Sequence, residues 1–261
     1  MLFKSTSRLL SNIPTMTNYN IKITSDIVCP WCYIGHARLS RAITNHKRQY
    51  PSDTFNLTYL PFYLNPPSQV SNPSEPAFPI PSRPRQEYYA AKFGAARATQ
   101  IFSMLSSVAS DEGLSFKFGG KTGPSRNGHR LVYYAQTHGG EAAQNSVMLA
   151  LWRRYFEQEI DITTLETLVN IGVESGLGSK EEITAYLESG KDGVEVDCVA
   201  EEARDKGISG VPFYEIQERW EVSGAQEPAA FEQLFRRWKE LEMKGKAEEK
   251  GKVAGGGDSC L

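Results

Sequence analysis

Cys29-Pro30-Trp31-Cys32-Tyr33-Ile34-Gly35 is the stretch that decides the fold of this chain. It follows an apolar extended run and opens a helical pattern. Cysteines three positions apart on a helix are separated by about 4.5 Å along its axis, a distance that a disulfide can bridge without backbone movement. The first sulfur lies at the helix N-terminus, where free N–H groups and the helix dipole favour the reactive thiolate. The stretch therefore predicts a redox-active dithiol.

A strand, a Cys-Pro-x-Cys motif and a helix in succession are typical of a thioredoxin-like redox site. Two alternatives stay open, half of a zinc site and a pair of unrelated buried cysteines. A four-ligand zinc site needs two further ligands. Outside the motif the chain offers Cys198, Cys260 and four histidines, with no second paired motif. The sequence therefore favours redox chemistry, and no metal ion is expected.

Composition narrows the possible partners and the compartment. The 261 residues carry 29 basic and 31 acidic side chains, a net charge of −2 without a basic block, so nucleic acid is not an expected partner. No apolar run approaches the roughly 18 residues of a membrane span. Residues 1–25 hold basic but no acidic side chains, which is the composition of a mitochondrial presequence. We expect a cytoplasmic protein, with a mitochondrial location as the alternative.

The first part of the chain has the pattern of a βαβ unit. A strand is predicted from Ile21 to Val28, a helix from about Pro30 to Gln49, and a second strand from Thr54 to Leu60. A strand–helix–strand succession of this length implies that the two strands are parallel.

A long helical block separates this unit from a returning α/β pattern. After a proline-rich loop that ends near Pro84, apolar residues at helical spacing continue for about 100 residues. Two capping boxes, which begin at Thr163 and Ser179, indicate helix starts within the block. The elements predicted after it are a strand at 211–216, a tight turn at Gln217-Glu218, a strand at 219–222 and a helix after Pro228.

A second element is expected beside the dithiol. In the segment from Gly207 to Phe213, Pro212 opens a strand after glycine-rich chain. A cis bond before this proline turns the preceding backbone groups outward, where they can pair with an extended peptide. The ordinary trans bond is the alternative, but the upstream dithiol favours cis.

These motifs together resemble the FrnE-like branch of the DsbA family. The resemblance covers residues 21–241 and includes the dithiol stretch, the helical insertion, Gly210–Phe213 and Val222–Gln226. It implies an α/β thioredoxin-like fold interrupted by an α-helical insertion domain, and thiol–disulfide exchange as the activity. The related 2-hydroxychromene-2-carboxylate isomerase and kappa-class glutathione transferase commonly carry serine at the first cysteine position and bind glutathione. This chain keeps both cysteines, which argues for redox chemistry.

The resemblance also predicts domain boundaries, and the chain departs from the family's pattern at one position. His129-Arg130 matches a pair in the family's insertion, whereas Pro124 replaces the usual asparagine upstream of it. The expected boundaries are a flexible extension or presequence at 1–18, a thioredoxin-like domain at 19–62 and 192–243, a loop and helical insertion at 63–191, and a flexible tail at 244–261.

Roles follow for the residues near the dithiol. Cys29 is the expected attacking thiolate and Cys32 the resolving thiol. Asp26 is a candidate for proton transfer, with a helix-entry or solvated carboxylate as the alternative. His129 is either a polar wall of the cleft or a packing histidine. Trp31 is expected to face the substrate.

The remaining expectations concern binding and partners. Val211 and Pro212 join Trp31 and His129 as the substrate-binding set. Cys260, on a glycine-rich tether, is a candidate accessory thiol, and Cys198 is expected to be partly exposed. We expect no tightly bound cofactor, with glutathione as a possible co-substrate. The expected partners are protein or peptide thiols and disulfides, or small thiols, with no membrane partner, for a monomer or homodimer.

For the function, the sequence gives one main prediction and leaves two alternatives open. The main prediction is a protein dithiol–disulfide oxidoreductase. The alternatives are a glutathione-dependent isomerase or transferase of a small aromatic substrate, and a non-catalytic peptide-binding module.

Overall fold

Two strands at the start of the chain and two near its end enclose a run of helices. The computed structural model describes residues 16–65 and 81–254. Its strands are β1 (Asn18–Ser25), β2 (Thr54–Pro61), β3 (Arg83–Pro84), β4 (Lys121–Thr122), β5 (Phe213–Ile216) and β6 (Trp220–Ser223). Its helices are α1 (Pro30–Gln49), α2 (Arg85–Phe93), α3 (Ala95–Asp111), α4 (Arg126–Trp152), α5 (Leu165–Glu174), α6 (Lys180–Glu188), α7 (Gly193–Asp205) and α8 (Pro228–Ala254), with a π-helical turn (Arg153–Glu157) after α4.

The principal sheet has the strand order β2-β1-β5-β6. β1 and β2 are parallel, as the βαβ pattern predicts, whereas β1 pairs antiparallel with β5 and β5 antiparallel with β6. Ile23 lies opposite Tyr59 on one side and Tyr214 on the other. β1 is therefore a central strand, and the chain that leaves its carboxyl end enters the dithiol stretch.

Helix α1 has the predicted bounds because both ends carry clear signals. Cys29 is the residue before its first turn and has extended backbone angles, and Pro30 occupies the first turn, where a missing N–H costs nothing. His46, Lys47 and Arg48 lie in the last turn, next to the negative end of the helix dipole. The helix ends before Pro51, since the residue preceding a proline avoids helical angles.

Several predicted boundaries are wrong. β1 begins at Asn18 and ends at Ser25, so it starts before Ile21 and stops short of Val28. The hydrogen bond from the Thr17 N–H to Asp53, at 3.0 Å, explains the early start, because it ties the chain to the loop before β2. At the other end, the helix predicted after Pro228 is α8, which continues to Ala254. The strands predicted at 211–216 and 219–222 are shorter or shifted, as β5 and β6.

Two local predictions are confirmed in detail. The Ser179 hydroxyl caps α6 by accepting a hydrogen bond from the Glu182 N–H, and the Glu182 carboxylate accepts one from the Ser179 N–H, which completes the capping box. The box predicted from Thr163 is wrong, because Thr164 caps α5 and accepts a hydrogen bond from the Thr167 N–H, so Glu166 is not in the position that a capping box requires. The turn between β5 and β6 passes through Gln217 and Glu218, both with positive φ, and is closed by a hydrogen bond from the Arg219 N–H to the Ile216 carbonyl at 3.2 Å.

The helical insertion is joined to the sheet at β2. The side-chain amide of Gln144, on α4, accepts a hydrogen bond from the Tyr59 N–H at 2.8 Å and donates one to the Tyr59 carbonyl at 3.0 Å. One side chain thus reproduces the two bonds of a neighbouring strand and covers the edge of β2. In the described residues, no helix is long and apolar enough to cross a membrane.

Candidate active site

Cys29 lies at the junction of sheet and helix. Its N–H donates to the Asp26 carbonyl at 3.1 Å, and its own carbonyl accepts from the Cys32 N–H at 3.1 Å. These bonds form a tight turn that carries the chain from β1 into α1. The turn places the Cys29 side chain at the N-terminus of α1, where the N–H groups lack intrahelical partners. The two sulfurs are close but not bonded to each other.

Cys32 is buried, as is Cys29, with exposed fractions of 2% and 4%. Its side chain is buried among core residues. Burial raises the pKa of the Cys32 thiol well above its ordinary value, and the neighbouring Cys29 sulfur raises it further. Cys32 is therefore a neutral thiol near pH 7, whereas a nucleophilic cysteine must be a thiolate. The burial and raised pKa of Cys32 therefore support its assignment as the resolving sulfur.

The proline segment borders the dithiol. The Val211–Pro212 bond is cis, as predicted. The Val211 carbonyl accepts a hydrogen bond from the Cys29 Sγ at 3.5 Å. Pro212 is buried against α1, where its Cγ would lie 3.0 Å from a Cβ placed on Gly35. Residues from the two ends of the chain therefore meet at one sulfur atom.

Asp26 is buried beside the dithiol. Its carboxylate accepts hydrogen bonds from the Val28 N–H at 3.3 Å and the Leu64 N–H at 2.8 Å. The alternative of a solvated carboxylate is wrong, because the side chain is fully buried. Asp26 instead joins the turn before Cys29 to the segment after β2.

His129 approaches Asp26 from α4. Its Nε2 lies 3.5 Å from the Asp26 Oδ1, without hydrogen-bond geometry, and has no hydrogen-bond partner among the described residues. The ring is buried and packs edge-on against Tyr63, with ring centroids 5.6 Å apart. The structure thus brings the insertion's histidine to the carboxylate next to the dithiol, and His129 is not a fully satisfied packing residue.

The other predicted residues have different surroundings. Trp31 is half-buried and packs against the core, so it is less exposed than expected. Arg130 is buried, and its guanidinium donates to the carbonyls of Tyr186 and Leu187, which ties α4 to the end of α6. Cys198 is exposed on α7, as predicted. Cys260 lies outside the described residues.

Three residues behind Cys32 were not predicted as part of the site. His36, Tyr59 and Tyr214 are buried in the same core as the thiol. The sequence does carry a signal for His36, because Cys32, His36 and Ser40 recur at intervals of four along one helix face. Tyr59 and Tyr214 have no such local signal, since strand pairing across the whole chain brings them here. In the described residues, no three His, Cys, Asp or Glu side chains cluster as a metal site does.

A family comparison identifies the class of protein that this arrangement defines. A family model described as a DsbA-like thioredoxin domain matches residues 20–236. The chain belongs to that family, and the predicted thioredoxin-like fold with a helical insertion is confirmed. The family is of the thiol–disulfide oxidoreductase type.

Solved structures with the same fold include two redox proteins and an isomerase. A probable DsbA oxidoreductase from Streptomyces coelicolor is 27% identical, with a TM-score of 0.70 over 84% of this chain and 89% of that one. The cytosolic disulfide reductase DsbM from Pseudomonas aeruginosa, solved with glutathione, is 13% identical, with a TM-score of 0.52 over 86% and 99%. A 2-hydroxychromene-2-carboxylate isomerase is 15% identical, with a TM-score of 0.55 over 90% and 98%. No curated protein sequence matches the chain.

Proposed function

We propose that this chain is a thiol–disulfide oxidoreductase that acts on protein disulfides through Cys29 and Cys32. One observation carries the proposal. The Cys29 Sγ lies at the N-terminus of α1 and 3.5 Å from the carbonyl that precedes the cis-proline, with the neutral Cys32 thiol behind it. An attacking sulfur, a resolving sulfur and a peptide-binding backbone edge are thus in one place.

The exchange proceeds in two displacements. The Cys29 thiolate attacks one sulfur of the substrate disulfide, and the other substrate sulfur leaves as a thiolate that takes up a proton. Cys32 then loses its proton and attacks the Cys29 sulfur, which releases the second substrate sulfur and forms the Cys29–Cys32 disulfide. The substrate gains two electrons from the two cysteines. Its two sulfurs take up two protons, of which Cys32 releases one and solvent supplies the other, because Cys29 reacts as a thiolate.

Substrate binding is assigned to the surface around Cys29. Val211 is half-buried, and we assign its backbone to pair with an extended peptide as an added strand, with Pro212 shaping that edge. Trp31 supplies an apolar wall beside the sulfur. Asp26 and His129 supply a polar floor, in which Asp26 is the candidate for proton transfer at Cys29.

Glutathione is the proposed small-thiol co-substrate. It fits the chemistry, since two glutathione thiols can return the Cys29–Cys32 disulfide to the dithiol by the same exchange. The similarity to DsbM, whose structure contains glutathione, supports this choice. A cytoplasmic location, with a mitochondrial one as the alternative, and a monomeric or homodimeric state remain predictions, as does an accessory role for Cys260.

Reduction of insulin disulfides by dithiothreitol or glutathione tests the function. We expect the wild type to accelerate precipitation of the insulin B chain, and Cys29→Ser to abolish the acceleration. Cys198→Ser is the matched control, because it removes an exposed thiol far from the dithiol stretch in sequence. Glutathione conjugation or isomerisation of an aromatic substrate without insulin reduction would favour the glutathione-dependent enzyme instead. Insulin binding without either activity would favour the peptide-binding module.

A further inference from the structure

The Cys32 thiol has to lose a proton in a place that water does not reach. The second displacement needs a Cys32 thiolate, yet the side chain is buried and burial holds it in the neutral form. Since a buried charge without compensation is costly, the proton must leave as the sulfur attacks. A route for that proton is therefore part of the site.

Helix α1 supplies a polar path from Cys32 to the surface. His36 lies one turn beyond Cys32, and Ser40 one turn beyond His36. The Nδ1 of His36 is 2.6 Å from the Tyr59 hydroxyl, and its Nε2 is 3.3 Å from the Ser40 Oγ. Ser40 is half-buried, so the far end of the path meets solvent. Tyr59, His36 and Ser40 form a continuous hydrogen-bonded chain, which we call the relay.

The histidine in the relay is suited to passing a proton. Burial lowers the pKa of His36 to about 4, and the charge of Arg153 contributes to the lowering. The ring is therefore neutral near pH 7, with one N–H and one lone pair. A neutral imidazole can accept a proton on one nitrogen while it donates from the other.

Tyr59 is held in place at the end of the relay opposite Ser40. Its backbone N–H and carbonyl are both hydrogen-bonded to the Gln144 amide, and its hydroxyl also lies 3.3 Å from the Asn145 Oδ1. Tyr59 is in the same core cluster as Cys32. The charge of a Cys32 thiolate acts on Tyr59 and contributes to raising the tyrosine's pKa.

A second tyrosine hydroxyl points at the same region. The Tyr214 hydroxyl is fully buried, has no hydrogen-bond partner among the described residues, and lies directly over Gly35. Gly35 is one turn along α1 from Cys32. A Cys32 thiolate also raises the pKa of Tyr214. Titratable and charged groups on several elements surround the thiol and the relay. They are Cys29 just before α1, Arg38 on α1, Asp26 after β1, Tyr59 on β2, Arg153 in the π-helical turn and Tyr214 on β5.

We propose that Tyr59, His36 and Ser40 carry the Cys32 proton to solvent during the second displacement. This inference rests on the proposed function. The Cys32 proton passes to the Tyr59 oxygen as the Tyr59 proton passes to Nδ1 of His36. The Nε2 proton passes to Ser40, and a proton leaves Ser40 to water. The thiolate forms as it attacks Cys29, and the departing substrate thiolate takes a proton from solvent, so protons and electrons balance.

Single-turnover resolution of a glutathione mixed disulfide tests the relay. Oxidised glutathione is mixed with the reduced protein, and quenched samples are analysed by mass spectrometry for the Cys29–glutathione adduct and its loss. Tyr59→Phe removes one hydroxyl and keeps the ring, and His36→Phe keeps an aromatic ring against Trp152 but has no ring nitrogen. We expect adduct formation at the wild-type rate and adduct loss slowed roughly ten- to hundredfold.

A pH series separates the relay from a loss of packing. In both variants we expect the rate of adduct loss to become proportional to hydroxide concentration between pH 7 and 9, because solvent must then take the proton directly. The wild-type rate is expected to depend less on pH over that range. Tyr19→Phe is the matched control, since it removes a buried hydroxyl from the same sheet, where it donates to the Phe235 carbonyl at 2.9 Å.

The outcomes distinguish this inference from the proposed function. Wild-type rates and pH dependence of adduct loss in both variants overturn the relay and leave the dithiol function intact. Equal slowing of adduct formation and loss, or the same slowing in Tyr19→Phe, also overturns it. Failure of the wild type to form and resolve the adduct overturns the proposed function and the relay together.

Discussion

Gly35 shows how one residue governs the approach of the proline segment to the dithiol. A Cβ at this position would collide with the Tyr214 hydroxyl and lie 3.0 Å from Pro212 Cγ and 3.4 Å from Ala225 Cβ. Only a hydrogen at this point lets β5 and the cis-proline pack directly on α1. The glycine of the Cys-Pro-Trp-Cys-Tyr-Ile-Gly stretch is thus needed for close packing and not for a turn, because it lies inside a helix.

Gly35→Ala is therefore expected to destabilise the protein by about 1–3 kcal/mol, the usual cost of overpacking a filled core. Urea unfolding measures the change. Gly210→Ala is the control, because no atom lies within 4 Å of a Cβ at that position, and its stability should stay near that of the wild type. Equal stability of Gly35→Ala and wild type would show that the segment can move away without cost.

The two active-site thiols should differ in reactivity towards iodoacetamide. Cys32 has a raised pKa because it is buried, so its thiolate population near pH 7 is small. In a Cys198→Ser background at pH 7, we expect Cys29 to be alkylated at least about tenfold faster than Cys32. Peptide mass mapping over time gives both rates, with Cys29→Ser and Cys32→Ser reporting each thiol alone. Faster labelling of Cys32 would reverse the assigned roles.

A buried ionic cluster joins four elements at the end of the sheet far from the dithiol. Asp53, before β2, accepts hydrogen bonds from Lys239 on α8 at 2.7 Å, His46 on α1 at 2.8 Å and the Thr17 N–H before β1. Burial alone would raise the pKa of Asp53, but these donors hold it below its ordinary value. The cluster fixes where α1 ends, and where β1 and β2 begin.

Asp53→Asn is expected to cost about 3–5 kcal/mol near pH 7, because it leaves the buried Lys239 without its carboxylate. A carboxylate with a lowered pKa stabilises the fold above its unfolded pKa, near 4, and this stability is lost as pH falls through the folded pKa. The difference in unfolding free energy between wild type and Asp53→Asn should therefore shrink as pH falls below about 4. Urea unfolding between pH 3 and 7 measures it.

The control for this cluster is an ion pair on the exposed side of the same sheet. Lys22 and Glu215 are 3.1 Å apart, with side chains that are 47% and 37% exposed. Glu215→Gln should cost less than about 1 kcal/mol, since solvent screens the pair. If Asp53→Asn and Glu215→Gln lowered the unfolding free energy by similar amounts, burial would not be the reason that the Asp53 cluster stabilises the fold.

Elements with local signals were predictable, and elements set by distant contacts were not. The bounds of α1, the cap at Ser179 and the turn at Gln217-Glu218 follow from residues within a few positions of one another. The start of β1 depends on the bond between Thr17 and Asp53, which no short window contains.

The same rule applies to the site. Cys29, Cys32 and Pro212 were predictable because each belongs to a short motif. Tyr59 and Tyr214 join the core that contains Cys32 only through strand pairing across the chain.

On the scale of the whole molecule, the helical insertion and the sheet meet through Gln144. Its amide is hydrogen-bonded to both the N–H and the carbonyl of Tyr59, so one residue of the insertion covers the open edge of β2. The same contact holds Tyr59 against His36. The attachment of the insertion to the sheet and the position of the relay therefore both depend on the Gln144 side chain.

Gln144→Leu should cost about 2–4 kcal/mol, because it leaves a buried N–H and a buried carbonyl without partners. Hydrogen exchange is expected to show faster exchange of the Tyr59 amide, with little change in β5. Gln100→Leu, at an exposed position on α3, is the control. Unchanged protection of Tyr59 would mean that water or another group replaces the amide.

The strand order has a consequence for synthesis on the ribosome. Ile23 pairs with Tyr214, 191 positions further along the chain. At a translation rate of roughly 5–20 residues per second, β1 waits about 10–40 seconds for its antiparallel neighbour. During that interval the β5-facing edge of β1 has no native partner strand, whereas β2 and the insertion have already been made. The nascent chain therefore passes through a period in which Cys29 is present without the proline segment that borders it, and in which shielding of that edge by a chaperone would matter most.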